Sequence, residues 1–159
     1  MNIKSSQQLV EEANKTIETL SPEEVKSLFE KNEITLIDVR DIRELWRDGT
    51  IENSKHIPRG MLEFWLDPNS SYYQENKIKD SKKMVFFCAM GFRSALATKA
   101  LVDMGFKNVA NAEGGFDALK KRTSEAYEKG IFGAPTFVSN NKIFWGQDRI
   151  EFVLKEASK

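Results

Sequence analysis

Two periodicities divide this chain. Apolar residues recur at helical intervals in Val10, Ala13, Ile17 and Leu20, in Val25, Leu28 and Phe29, and in Ala97, Ala100, Leu101 and Met104. Between the second and third sets lie two nearly unbroken apolar runs, Ile34 to Val39 and Met84 to Phe87, the pattern of strands covered on both faces. Punctuation supports these assignments. Ser21-Pro22-Glu23-Glu24 is a capping box with proline at the first helical position and predicts a helix to about Lys31. Gly105 stands where a helix C-cap glycine belongs. A short helix is expected over Asp41 to Asp48 with Leu45 and Trp46 facing inward, and a last core strand over Val109 to Ala112. Phe116, Leu119 and Lys120 should lead into a helix ending near Lys129-Gly130. Thr136 to Val138 and Ile143 to Trp145 read as a hairpin across Asn140-Asn141. Asp148 and Glu151 then cap a helix whose Ile150, Val153, Leu154 and Ala157 share a face.

Composition narrows the picture. The 159 residues suffice for one good core, and 24 basic against 24 acidic side chains leave no net charge, hence no overall field for nucleic acid or an anionic membrane. The single cysteine excludes an internal disulfide, and with one histidine 32 positions away it makes a dedicated metal site unexpected. No cofactor is expected. Neither a membrane-span-length apolar run nor a signal-peptide core is present, so a reducing cytoplasm is the expected location.

The chemistry gathers where that cysteine lies. Cys88-Ala89-Met90-Gly91-Phe92-Arg93-Ser94 follows the second apolar run and opens the third helix. Unpaired amides in a helix's first turn favour an anion, and Gly91 lets the backbone turn them inward without a Cβ in the way. With Arg93 adding charge, the expected species is a thiolate, or a persulfide with its terminal sulfur negative, open to solvent in a shallow bowl of donors. Asp38, Arg40 and Glu44 fall at the carboxyl end of the first apolar run, where open α/β sheets bind ligands. Arg40 and Glu44 are expected to pair and to brace the cysteine loop.

Cys-x-x-Gly-x-Arg-Ser after a strand resembles the active-site loop of the rhodanese (sulfurtransferase) family. Asp38-Val39-Arg40 followed by Glu44 resembles that family's Asp-Val-Arg-x-x-x-Glu signature. Gly49 to Pro58 resembles its Gly-His-Ile-x-Gly-Ala-x-x-Ile-Pro segment, and Glu113-Gly114-Gly115-Phe116 its closing Gly-Gly turn. The resemblance runs from about residue 21 to 122. It implies a doubly wound parallel α/β sheet in which Cys88, aided by Arg93 and the loop residues Ala89, Met90, Gly91, Phe92 and Ser94, takes a sulfane sulfur from a donor such as thiosulfate or a persulfide. The sulfur then passes to cyanide or a thiol. Related phosphatases and arsenate reductases carry one more residue between cysteine and arginine, whereas four separate Cys88 from Arg93 here. The family's histidine is replaced by Thr50. His56 should not inherit its role and is expected to be structural. The aromatics Phe64 and Trp65 are expected to pack in the core or an interface, with substrate selection by Arg59, Phe64 or Trp65 the sharper alternative.

The last stretch resembles something else. Gly130-Ile131-Phe132-Gly133-Ala134-Pro135-Thr136-Phe137-Val138 followed by Lys142-Ile143-Phe144-Trp145-Gly146-Gln147-Asp148-Arg149 is similar to the final third of a thioredoxin-fold protein of the DsbA and 2-hydroxychromene-2-carboxylate isomerase type. By that resemblance Ala134-Pro135 is a candidate cis peptide, and the loop could present a glutathione persulfide. The organisation expected is therefore a helical lead-in over 1–20, a rhodanese-like domain over 21–126, and an extension over 127–159 with a structural or dimerising role. A non-catalytic or redox-sensing interaction module is the alternative to an enzyme.

Overall fold

The computed structural model describes residues 3–78, 82–120, 136–139 and 142–145, with Leu154 and Ala157. The chain divides into two units, Met1–Lys120 and Lys121–Lys159. In the first, five parallel strands form one sheet in the order β1-β5-β4-β2-β3: β1 Glu18–Leu20, β2 Ile34–Asp38, β3 Lys55–His56, β4 Lys83–Phe87 and β5 Val109–Ala112. The helices joining them are α1 Ser6–Asn14, α2 Pro22–Glu30, α3 Ile42–Asp48, α4 Leu62–Leu66, α5 Glu75–Ile78 and α6 Phe92–Asp103, with residues 115–120 helical after β5. This is the α/β parallel architecture that the sequence implied.

Register places the functional strand at the centre. β4 pairs with β2 on one side, Leu36 opposite Val85 and Asp38 opposite Phe87, and with β5 on the other, Val85 opposite Ala110. Alternation along β4 then sends Met84 and Phe86 into one core layer, with Ile37, Ile57, Leu62, Leu66, Ala97 and Leu101, and Val85 and Phe87 into the other, with Val25, Leu36, Ala110 and Phe116. Burying each such side chain contributes about 1.5–3 kcal/mol, so the strand is held from both sides. Cys88, next in the alternation, joins the Phe86 layer.

Three expectations about elements change. The first helix ends at Asn14, and the segment read as its continuation turns to form β1, with Leu20 buried and Glu18 opposite Ala110. Trp46 is 77% exposed rather than inward, because α3 has only two turns and its inner side is taken by Glu44 and Leu45. On α6 the buried stripe is Ser94, Ala95, Ala97, Thr98 and Leu101, while Met104 at the C-cap faces water. The α2 capping box forms as read, with Ser21 and Glu24 each accepting from the other's backbone amide.

In the second unit, β6 Thr136–Ser139 and β7 Lys142–Trp145 pair antiparallel, Phe137 opposite Phe144. The Asn140-Asn141 turn, the Ala134-Pro135 bond, the helix end near Lys129-Gly130 and the caps at Asp148 and Glu151 lie outside the described residues. Among the described residues no helix is long and apolar enough to cross a membrane.

Candidate active site

β4 delivers Cys88 to the carboxyl edge of the sheet, and the loop turns directly into α6. Gly91 makes the turn in the left-handed region, at φ 89°. An added Cβ there would lie 3.2 Å from the Gly114 amide and 3.3 Å from the Ala112 carbonyl, so glycine suits both the dihedral and the close approach.

The orientation of the loop is set from behind. Phe116 donates its amide to the Cys88 carbonyl at 2.7 Å and Asp117 donates to the Ala89 carbonyl at 3.1 Å. Each peptide unit is planar and trans, so drawing a carbonyl toward the Gly114-Gly115 turn leaves the next amide on the opposite side. Accordingly, the amides of Ala89 through Ser94 donate to no acceptor among the described residues. Consecutive unpaired amides at a helix start, bent by a left-handed residue, form an anion-binding concavity.

The sulfur itself corrects an expectation. Cys88 is 1% exposed rather than open to solvent, because strand alternation carries it onto the face that α6 covers. Its surroundings are not purely apolar. Ser94 Oγ stands 3.6 Å from Sγ, 2.6 Å from Asn111 Oδ1 and 3.2 Å from the Gly91 carbonyl. Asn111 is buried on β5, where the sequence pattern marks only a core strand; an asparagine inside an otherwise apolar run is the signal that points to it.

Arg93 makes a two-pronged ion pair with Glu44, both contacts at 2.7 Å. That hydrogen bond is the first cause holding the Glu44 carboxyl below the usual glutamate range and the guanidinium above its own. The charge of the Cys88 sulfur is a smaller influence on Arg93. Ser94 makes a side-chain hydrogen bond to the sulfur at 3.6 Å, and a hydrogen bond with Cys88 is among the smaller causes that raise Arg93.

The expected Arg40–Glu44 pair does not form. Arg40 is fully buried and turns back on Asp38, with Nη2 2.7 Å from Oδ2 and Nε 3.0 Å from Oδ1. Arg40 Nη2 also donates to the Gly49 carbonyl, and Thr50 Oγ1 donates to Asp38 Oδ2 at 2.7 Å. The guanidinium carbon lies 4.0 Å from the centre of the Phe116 ring. Arg40 thus lies against Phe116, the residue whose amide holds the Cys88 carbonyl, rather than against Glu44. His56 Nε2 hydrogen-bonds the Arg40 carbonyl at 2.9 Å, at the turn before Pro58. Arg59 pairs with Glu63, Trp65 packs against the core, and Phe64 meets Tyr72 edge to face. Met90 and Phe92 are more than half exposed on the loop.

A thiol at the end of a central parallel strand, set under a helix start with its amides unpaired, is a site for holding an anionic sulfur or a small oxyanion. The chain belongs to the rhodanese-like domain family, which matches residues 21–131. It is 34% identical over 58% of its length to a mouse protein named thiosulfate sulfurtransferase/rhodanese-like domain-containing protein 3, spanning 62% of that relative. It is 32% identical over 62% of its length to human thiosulfate:glutathione sulfurtransferase, spanning 89% of it. A tRNA uridine(34) hydroxylase of Photorhabdus laumondii is 29% identical over 82% of this chain, which spans 35% of that protein. Among solved structures, a Rhodopseudomonas palustris protein of unknown function, described as a possible tyrosine phosphatase, is 42% identical with a TM-score of 0.72; the match covers 77% of this chain and 94% of the other. For the tail, a 34-residue match at 44% identity to 2-hydroxychromene-2-carboxylate isomerase of Sphingobium xenophagum covers 21% of this chain and 17% of that one.

Proposed function

We propose that the protein is a sulfurtransferase working by double displacement at Cys88. The thiolate attacks the outer sulfur of a sulfane donor, the donor's sulfur–sulfur bond breaks and the remainder leaves with its electron pair. The resulting Cys88 persulfide yields its outer sulfur to a thiol or cyanide. The observation that carries this reading is the run of unpaired amides from Ala89 to Ser94 in the loop that Cys88 opens, fixed by the grip of Phe116 and Asp117 on the loop carbonyls. Such preorganised donors stabilise charge on the persulfide's terminal sulfur without rearrangement during the reaction, and Arg93 adds a positive field. The chain supplies no second thiol, so the sulfur leaves to another molecule.

Two other readings have an observation each. The described likeness to a possible phosphatase raises phosphate-ester chemistry; against it stands the short loop, with four residues between Cys88 and Arg93. Burial of Cys88 favours a non-catalytic or redox-sensing module. The three separate in one set of assays. Thiocyanate formation from cyanide and a sulfane donor, abolished in Cys88→Ala, supports transfer. Hydrolysis of a phosphotyrosine ester with no thiocyanate supports the phosphatase, and neither activity supports the module.

A further inference from the structure

Asn111 is a polar side chain in an apolar layer. On β5 its neighbours Ala110 and Ala112 belong to the layer of Val85 and Phe87, so alternation turns Asn111 to the opposite face. There it joins Val109, Phe86, Cys88, Ala97 and Leu101 in the layer that α6 covers. Its strand neighbours are Thr19 on β1 and Phe86 on β4, and it is 3% exposed. A valine would fill this place without cost, whereas a buried carboxamide requires a hydrogen-bonding partner. The partner is Ser94 Oγ, 2.6 Å from Asn111 Oδ1, in the first turn of α6 and itself fully buried. Ser94 Oγ in turn lies 3.6 Å from Cys88 Sγ. Carboxamide, hydroxyl and sulfur therefore form one chain of contacts. A hydroxyl has one proton and two lone pairs, while a carboxamide has an accepting end and a donating end. When the sulfur is a thiol, Ser94 can give its proton to Asn111 Oδ1. When the sulfur is negative, that proton is needed at Sγ, and two oxygens 2.6 Å apart would face each other with no proton between them. Asparagine resolves this by turning its carboxamide end for end and donating to Ser94 Oγ, which a carboxylate or an apolar side chain of the same size cannot do.

Resting on the sulfurtransferase reading, we propose that Asn111 is a positioning residue for the second half of the transfer: acting through Ser94, it keeps a hydroxyl proton on Cys88 Sγ as that sulfur becomes the leaving group. The two sulfurs of the persulfide have separate needs. The outer one carries charge while the persulfide is held; the inner one, Sγ, becomes charged only as the outer one is taken. With cyanide as acceptor, carbon bonds to the outer sulfur, the sulfur–sulfur bond breaks and its electron pair passes to Sγ. Cys88–S–SH and CN⁻ give Cys88–S⁻, SCN⁻ and a proton released to water, with no oxidant or reductant consumed. Sγ is 1% exposed, so a donor from the protein must meet the new charge. A donor that stabilises a thiolate speeds its departure. The same donor dulls the thiolate as a nucleophile while keeping more of it ionised, two effects that offset each other in the first half. Loss of Asn111 is therefore felt mainly when the persulfide is discharged.

The test measures the two halves separately on the full chain. Loading with thiosulfate or an alkyl persulfide is followed by intact mass, and the loaded protein, freed of donor, is mixed with cyanide and its single turnover to thiocyanate is timed. Asn111→Leu is close in size and suits the apolar layer; it should slow discharge about fivefold, the worth of one net hydrogen bond, and loading less than about twofold. Asn111→Ala, which cannot overpack, should show the same split, and so should Ser94→Ala. Adding Asn111→Leu to Ser94→Ala should slow discharge by less than about a further twofold. Equal slowing of both halves, as a merely misplaced loop would give, overturns the proposal while leaving the sulfurtransferase reading intact. Unchanged discharge in the Asn111 variants, or full additivity with Ser94→Ala, does the same. A wild-type protein that takes up no sulfur from either donor overturns both.

Discussion

At the level of single residues, the site is a set of shared protons and charges. Ser94 has one hydroxyl proton facing the Asn111 oxygen at 2.6 Å, the Gly91 carbonyl at 3.2 Å and the Cys88 sulfur at 3.6 Å. Whether that proton serves the sulfur depends on what Asn111 does with it. Ser94→Ala and Asn111→Ala should each slow sulfur transfer several-fold, and the double variant should be little slower than the worse single one in single-turnover measurements. Glu44 carries a pH dependence. Its folded-state carboxyl is held below the ordinary glutamate value, chiefly by the Arg93 hydrogen bond, so its stabilisation is complete above that ordinary value and is lost as pH falls through the lowered one. The wild-type stability advantage over Glu44→Gln in urea titrations should therefore be constant near neutrality and vanish in acid. Cys88, Arg93 and Ser94 were legible because a short motif puts them on contiguous residues. The partners were not. Their common place at the carboxyl end of β2 suggests an Arg40–Glu44 pair, whereas the backbone turn after β2, in which the Arg40 amide itself donates to Asp38 Oδ1 at 3.0 Å, folds the guanidinium back onto Asp38.

Among the elements, the strand–loop–helix unit depends on the Gly114-Gly115 turn behind it. A Cβ on Gly115 would fall 2.3 Å from the Cys88 carbonyl, 2.7 Å from the Ala89 carbonyl and 2.7 Å from the Gly91 amide, all backbone atoms, at a φ of 59°. Gly115→Ala should therefore cost more than the 1–3 kcal/mol usual for a left-handed residue, above about 3 kcal/mol by denaturant titration, and should abolish transfer. The buried Asp38–Arg40 pair is the second support. Asp38→Ala strands a charge with no access to water and should cost about 3–5 kcal/mol, a loss readable as a lowered urea midpoint. The sequence identified the closing turn as a motif. That the Phe116 and Asp117 amides just after it draw the loop carbonyls back, and so leave the cysteine loop's own amides unpaired, follows from peptide planarity once the packing is known.

For the molecule as a whole, a parallel sheet buried on both faces was written in the apolar runs, and its central strand could be named from the residues that follow it. The edge was missed. Glu18–Leu20 is a three-residue strand whose period cannot be separated from the end of a helix, and only its pairing with β5 reveals it. Deleting residues 1–20 should then cost at least about 3 kcal/mol, since Leu20, Val10 and Ala13 are buried and β5 would lose its outer neighbour. What this architecture accomplishes is to hold one sulfur under a row of backbone donors at the sheet's carboxyl edge. The most direct measurement is the intact mass of the protein after exposure to an alkyl persulfide and, separately, to thiosulfate. The account predicts a gain of one sulfur atom, removed by cyanide and absent in Cys88→Ala; an unchanged mass with both donors, or the same gain in Cys88→Ala, would contradict it.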